Sequence, residues 1–304
     1  MDLLAALRTF TRVAESGSFS AVAREAGMTQ PAVSRQVLAL EEHLGARLIQ
    51  RTTRSLTLTE DGRELLDHAR RVLACVEEAE AAVGRRSGSP SGLVRLAAPA
   101  NFGRLYVAPL MRRLLDRYPE LQIELQMTDT ITDLIAEGMD LAIRGGAVPD
   151  STLVARRIGA SARYVVGSTE YVGRNGRPMQ PADLARHSCI VFTQNAAQAD
   201  WTFRGPGGVA TVRVAGRFRT GSGEAVREAV LGGIGLALVP AWMFAEELQT
   251  GEVLALLQGF QAEQVPIHAV YPSRRNLAPR TRAVIEFLAD EFRLDPSLST
   301  YGEG

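Results

Sequence analysis

The stretch SFSAVAREAGMTQPAVSRQV, from Ser18 to Val37, constrains the fold more than any other part of the chain. It holds two helical patterns separated by a glycine, each preceded by a hydroxyl residue. Ser18 is placed to N-cap a helix from Phe19 to Ala26, and Gly27 to end it by taking a positive φ. Thr29 is placed to cap the next helix, and Pro31 falls in its first turn, where a missing N–H costs nothing. Val33, Val37, Leu40 and Leu44 then make an apolar stripe at helical spacing, with Gln30, Ser34 and Arg35 pointing elsewhere. A preceding helix, Leu3 to Glu15, carries Leu3, Leu7, Phe10, Val13 and Ala14 in the same period. Small Ala23 lets the two later helices approach, Gly27 turns the chain, and Val33 packs the second helix on the first. This is the logic of a helix-turn-helix. Its outward side carries short hydrogen-bonding groups and an arginine, which suit base edges and phosphates in a major groove. A helical hairpin with a merely solvated polar face has the same spacing.

The next segment favours the first reading. GARLIQRTTRSLTLTEDG, Gly45 to Gly62, contains Arg47, Arg51 and Arg54 and no acid before Glu60. Its alternation predicts a β-hairpin whose tip, Arg51, Thr52 and Arg54, suits phosphate or minor-groove contact. Residues 1–58 hold seven arginines against five carboxylates, so the positive charge is modest but bunched at that tip. An arginine-rich hairpin that is only solvated would look alike.

From Glu60 to Arg86 the pattern is one long helix. Leu65, Ala69, Val72, Val76, Ala79 and Val83 alternate by four and three, as in a coiled-coil seam. At about 1.5 Å per residue the helix would span roughly 40 Å. The seam predicts a homodimer, which would present two recognition helices to two half-sites; the alternative is an amphipathic helix packed on its own domain. RRSGSPSG, Arg85 to Gly92, reads as a hinge.

The run from FTRVAESGSFSAVAREAG through MTQPAVSRQVLALEEHLGARL to LTEDG resembles the DNA-binding domain of LysR-type transcriptional regulators, densely over residues 1–62. The resemblance implies a winged helix-turn-helix, a dimerising linker helix and a two-lobed effector domain similar to type 2 periplasmic binding proteins. It implies double-stranded promoter or operator DNA and a small-molecule effector as partners, RNA polymerase as a candidate partner, and tetramers or larger assemblies. By that match Gln30, Pro31, Ser34 and Arg35 fall on base- and backbone-contacting positions and Arg51 and Arg54 on the wing; Ser18 and Thr52 complete the candidate DNA contacts. The expected domains are residues 1–59, 60–86 and 93–297, with 87–92 as the hinge.

The C-terminal part changes texture. LVRLAAP predicts a buried strand, FGRLYVAPLMRRLLDRYP a helix, IELQMTD a strand, ITDLIAEGM a helix and DLAIRGG a strand. Such alternation predicts an α/β domain. A first lobe is expected from 93–163 and 266–297. A second, 164–265, holds CIVFT, DWTFRG, VATVRVAGRFRT and the helix–strand pair SGEAVREAVLGGIGLALVP. The last helix runs from Pro279 to Phe292. Ligands of open α/β sheets bind beyond the carboxyl ends of the strands. Those ends carry Ala100, Asn101, Phe102, Thr128, Arg144, Thr193, Thr220 and Ser222. Asn101 and Ser222 precede helices, whose free N–H groups favour an anion, and Arg144 could pair with a carboxylate. The expected effector is therefore a small organic acid. Arg144 in an internal ion pair, and Asn101 and Ser222 as plain caps, remain open. Phe102, Trp201 and Trp242 are candidates either for a pocket wall or for core.

Composition excludes several alternatives. With 46% hydrophobic residues the 304-residue chain can build real cores, and 34 basic residues, all arginine, balance 34 acids. MDLLAALRTF has neither the basic start nor the apolar run of a signal peptide, and no stretch is long enough to span a membrane, so a cytoplasmic protein is expected. Cys75 and Cys189 match no metal spacing. There is no Gly-x-Ser-x-Gly, phosphate loop or His-Glu-x-x-His, and His43, His68, His187 and His268 are scattered. No enzyme activity, cofactor or metal is expected. The rival to a regulator is a solute-binding or sensor module without promoter control, which the N-terminal helix-turn-helix disfavours.

Overall fold

The structure, a computed structural model, describes residues 1–51, 56–83, 89–130, 133–148, 153–194, 199–272 and 277–299. The chain divides into two compact units, one built on residues 1–88 and the other on the chain from Ser89 onward.

In the first unit α1 (Leu3–Ser16), α2 (Phe19–Glu25) and α3 (Gln30–Leu44) pack together, followed by the strands β1 (Ile49–Arg51) and β2 (Leu56–Leu58) and the long α4 (Glu60–Val83). Asp2 and Ser18 cap α1 and α2 by accepting the N–H groups of Ala5 and Ala21. Thr29 holds the N-cap position of α3 without a side-chain cap bond, contrary to the expected cap; its carbonyl instead accepts the N–H groups of Ala32 and Val33. Gly27 has φ +62° and lets Met28 N–H reach back to the Ala23 carbonyl at 2.8 Å. Phe10, Val13, Val33, Val37 and Leu40 are the centre of this core. Leu44 does not join the stripe: it is exposed, because the chain turns at Gly45 (φ +68°) directly after it.

α4 begins against this core. Leu66, Ala69 and Leu73 are buried in it and Leu65 packs at its edge. This corrects the seam: Ala69, 1% exposed, is spent inside its own domain, because the helix must cover the apolar side of α1 before it can offer a face to anything else. Val72 remains 44% exposed and Val76 half-buried. The side chains of Ala79 and Val83, and residues 84–88 at the expected end of the helix, lie outside the described residues.

The second unit is built on one five-stranded sheet and three smaller ones among the described residues. β3 (Gly92–Ala98), β4 (Leu121–Met127), β5 (Leu141–Gly145), β6 (Leu153–Ser161) and β15 (Val265–Pro272) form one sheet in the order β4-β3-β5-β15-β6. β3, β4 and β5 are parallel, and β15 runs antiparallel to both its neighbours. The chain leaves this sheet after Ser161 and returns at Val265. In between lie β7 (Arg163–Ser168), β8 (Val191–Phe192), β9 (Asp200–Gly205), β10 (Gly208–Arg213), β11 (Arg219–Thr220), β12 (Ala237–Pro240), β13 (Val253–Leu256) and β14 (Gln261–Ala262). They form the sheets β12-β7-β13 and β10-β9-β14 and the parallel pair β11-β8.

Two expected helices differ. Residues 100–117 are helical throughout, but a π turn at Gly103–Val107 and a 3-10 turn at Ala108–Leu110 separate a short start, α5 (Ala100–Phe102), from α6 (Met111–Arg117). Pro109 has no N–H to continue the ladder, and the wider turn absorbs the break, with Ala108 N–H bonded to the Gly103 carbonyl. ITDLIAEGM forms turns rather than a helix over its described residues. Asp133 takes the Ile135 N–H on its side chain, and Met139 N–H closes on the Leu134 carbonyl through Gly138 at φ +64°. The remaining helices are α7 (Thr169–Asn175), α8 (Gly223–Leu231), α9 (Ala245–Thr250) and α10 (Pro279–Leu294). Beyond α10 the expected boundary at 297 falls short. Buried Leu298 accepts the Ala160 N–H, and Ser299 bridges to the edge of β6, so the domain continues to Ser299.

Candidate functional site

The first site is the outer side of α3. Gln30, Pro31 and Arg35 are exposed and Ser34 is half-buried. Leu38 continues the same side, seven residues after Pro31 and 40% exposed. Val33, Val37 and Leu40 hold the opposite side in the core. Gln36 is tied to α1, where it accepts the Thr9 hydroxyl at 2.6 Å. A fork of the Arg12 guanidinium on Glu25 fixes α1 to α2, and Glu15 takes both Arg12 and Arg70 of α4. That pairing raises Arg12 above its ordinary range and holds the Glu25 carboxyl below its own, in both cases chiefly through the hydrogen bond between them. Ser18 is engaged as a helix cap.

The wing is joined to the recognition helix by a residue that periodicity alone did not single out. Glu41, only 8% exposed, accepts the backbone N–H groups of Leu48 at 2.8 Å and Ile49 at 3.1 Å, and its other oxygen lies 3.5 Å from Arg47. A buried carboxylate at helical spacing with the core residues Val37 and Leu40 was the available signal. Behind it, Thr59 N–H bonds to the Leu48 carbonyl and the Thr59 hydroxyl to the Arg47 carbonyl, while Thr59 Oγ1 accepts the Gly62 N–H. Arg51 closes β1 opposite Leu56. Its side chain, and Thr52 and Arg54, lie outside the described residues.

The second site lies where the two lobes meet. In the first lobe Ala100, Asn101 and Thr128 gather at the ends of β3 and β4, with the Thr128 N–H on the Ala98 carbonyl. In the second, Thr193, Gln194, Thr220 and Ser222 gather at the ends of the parallel pair β8 and β11. Thr193 N–H donates to the Thr220 carbonyl, Gln194 to the Gly221 carbonyl, and Ser222 N–H to Thr220 Oγ1. Ser222 caps α8 through Ala225 N–H. Asp129 joins the two groups. Its Oδ1 accepts the Ala100 N–H at 3.0 Å and its Oδ2 the Gly223 N–H at 2.9 Å. The anion expected at these two helix starts is therefore supplied by the chain itself, one residue past Thr128. Arg104 adds a second link across the lobes, to Glu224 at 2.9 Å, and also reaches Asn101 Oδ1 at 3.3 Å. Asn101 is 2% exposed and its Nδ2 has no partner.

The aromatic candidates are core. Phe102, 3% exposed, meets Trp242 edge-on at 5.1 Å, stacks on Tyr106 at 5.3 Å and meets Phe292 at 5.4 Å. Tyr106 also donates to the Trp242 carbonyl at 3.2 Å. These rings cement the lobes instead of lining a pocket, because each has an aromatic neighbour within packing distance. Trp201 is farther removed, inside the second lobe's own core. Arg144 is half-buried on β5 opposite His268 and is engaged in an interaction within the chain. Burial pushes the His268 imidazole below its ordinary range, and neighbouring Arg157 adds to that. Among the described residues no cluster of His, Cys, Asp or Glu could hold a metal, and no helix is long and apolar enough to cross a membrane.

A winged helix-turn-helix head, followed by a two-lobed α/β domain whose strand ends meet where the lobes join, is the build of a DNA-binding regulator with an effector-binding domain. The bacterial regulatory helix-turn-helix protein, LysR family, matches residues 4–63, and the LysR substrate binding domain matches residues 87–293. The chain belongs to the LysR family of transcriptional regulators. It is 36% identical over 290 residues to an HTH-type transcriptional regulator of Xanthomonas campestris pv. campestris, covering 94% of this chain and 84% of that one. It is 34% identical to the HTH-type transcriptional regulator PtxR of Pseudomonas aeruginosa, covering 95% and 93%. Among solved structures it resembles CrgA, a LysR-type transcriptional regulator from Neisseria meningitidis, with a TM-score of 0.62, 32% identity and coverage of 94% and 98%. The full-length Vibrio cholerae virulence activator AphB gives 0.58, 26% identity and coverage of 94% and 98%. These relatives are transcriptional regulators, not enzymes.

Proposed function

We propose that this regulator reads its operator with Gln30, Pro31, Ser34 and Arg35 of α3, steadied by Arg51, Thr52 and Arg54 of the wing, and that a small organic acid bound between the lobes controls it. The reading of α3 rests on its exposed polar side, set against a core that leaves the helix no freedom to roll. The reading of the cleft rests on one observation: a carboxylate, that of Asp129, already sits on backbone N–H groups from both lobes. A surface built to hold one carboxylate can hold another. Ala100, Asn101, Thr128, Thr193, Thr220 and Ser222 then surround the effector.

Losing a base contact should cost about 1–3 kcal/mol on the true operator and little on other sequences, whereas a lost phosphate contact weakens all duplexes alike and lowers the salt slope. Titrations of native protein and of Ser34→Ala with Arg35→Ala, on operator and scrambled DNA across salt, test the first half. Unchanged operator preference would remove α3 from the reading surface. Calorimetry of the native protein against small organic acids and their neutral analogues tests the second. Binding confined to neutral compounds would end the organic-acid reading.

A further inference from the structure

The cleft that the proposed effector would occupy is held by Asp129, whose two oxygens each accept one backbone N–H, one from each lobe. One of these, Gly223, opens the nine-residue helix α8, where unpaired N–H groups and the helix dipole favour negative charge. A hydrogen-bonded carboxylate in that place is a well-matched group, not an accident of surface charge. Yet the match is incomplete. Asn101 is 2% exposed and its Oδ1 is used by Arg104, but its Nδ2 donates to nothing. Its Cβ lies 3.7 Å from where a side chain on Gly223 would begin, so Asn101 is packed against the same helix start. A buried donor without a partner carries the full cost of its desolvation. Asp129, anchored by its place just past β4, satisfies the Ala100 and Gly223 donors and leaves the Asn101 amide without a partner.

From this juxtaposition we infer that Asp129 is a tethered stand-in for the effector's carboxylate, and that an acidic effector acts by displacing it, taking the N–H groups of Ala100 and Gly223 together with the amide of Asn101. The inference rests on the organic-acid reading above and adds its regulatory device. Displacement exchanges an internal bond between the lobes for one routed through the ligand and frees the segment that carries Asp129. A ligand shifts a conformational equilibrium only by its different affinity for the two arrangements, and competition with an internal group supplies that difference. Arg104–Glu224 and the Phe102–Trp242 contact continue to hold the lobes when Asp129 leaves.

The test replaces the tethered carboxylate by a free one. Asp129→Gly in the full chain should melt at least roughly 6 °C below the native protein, as expected for the loss of two charge-assisted bonds in a domain of this size. Formate or acetate, against chloride at equal ionic strength, should restore at least half of that shift in the variant and leave the native protein unmoved. Asp129→Asn, which keeps the shape and one acceptor, should fall between the two and be rescued less; it carries the comparison if the glycine variant does not fold. Equal response of native and variant proteins to the added carboxylate would overturn the inference. So would an unshifted melting temperature, or an organic amine that binds the native protein and is lost with Asp129, since the aspartate would then be the ligand's partner and not its stand-in. The rescue is read without any effector, so a neutral effector found by calorimetry would defeat the organic-acid reading while leaving the rescue result legible by itself.

Discussion

The Glu41 carboxylate accepts the Leu48 N–H at 2.8 Å, and this bond ties α3 to the chain that enters β1. Glu41 lies on α3 with its neighbours Val37 and Leu40 in the core, while Leu48 begins the chain into β1. A buried acceptor serving two backbone donors is costly to remove, since both N–H groups would lose their partner. Glu41→Ala should destabilise the head by about 2–4 kcal/mol, within the range for buried donors left unmade. It should also weaken binding to operator and scrambled DNA alike, because the wing loses its fixed position. Glu41→Gln should recover part of both. Melting curves and salt-dependent titrations check this; native behaviour in the alanine variant would detach the wing from α3.

Gly62 is the second pin of that joint. A Cβ there would stand 2.1 Å from the Leu48 carbonyl oxygen and 2.9 Å from its carbon, both backbone atoms held by the Thr59 bonds. Gly62→Ala should cost about 2–3 kcal/mol through overpacking. Gly173, inside α7 with nothing within 4 Å of a Cβ, is the control. Its alanine variant should be neutral or up to about 1 kcal/mol more stable. Chemical denaturation of the two variants should therefore shift in opposite directions or, at the least, differ plainly.

The linker helix carries two kinds of apolar residue. Ala69 and Leu73 are in the core of their own domain, whereas Val72 is 44% exposed. If α4 joins two chains, Val72→Glu with Val76→Glu should give a monomer whose head still melts cooperatively, because an unpaired charge in an apolar contact is expensive. Ala69→Glu should instead unfold the head. Light scattering and circular dichroism distinguish them, and an unchanged assembly in the double variant would place the contact elsewhere.

The two cysteines should differ in reactivity. Cys189 is fully buried beside the Leu184 carbonyl, and burial pushes its thiol up to about 12. Cys75 is exposed on α4. The thiolate is the reacting form, so an alkylating reagent at neutral pH should add once to the folded protein, at Cys75, and twice after denaturation. Mass spectrometry of a digest reads this directly; modification of Cys189 in the folded chain would contradict its burial.

Local signals wrote much of the molecule. Caps, glycines and apolar spacing located α1, α2 and α3, and alternation located β1 and β2, because each depends on residues a few positions apart. The strands β3, β4 and β5 were equally legible in the sequence, and the ends that carry Ala100 and Thr128 followed from them. What the tertiary structure alone decided involves partners far apart in the chain. Periodicity cannot say whether Ala69 faces a second chain or α1, since either burial produces the same seam. Aromatic content cannot say whether Phe102 and Trp242 line a cavity or each other. Nor could any local pattern reveal that Asp129, 94 residues before Gly223, would take the N–H groups of Ala100 and Gly223. A carboxylate in sequence is only a charge; the donors it meets are set by which strand ends the fold brings to the same cleft.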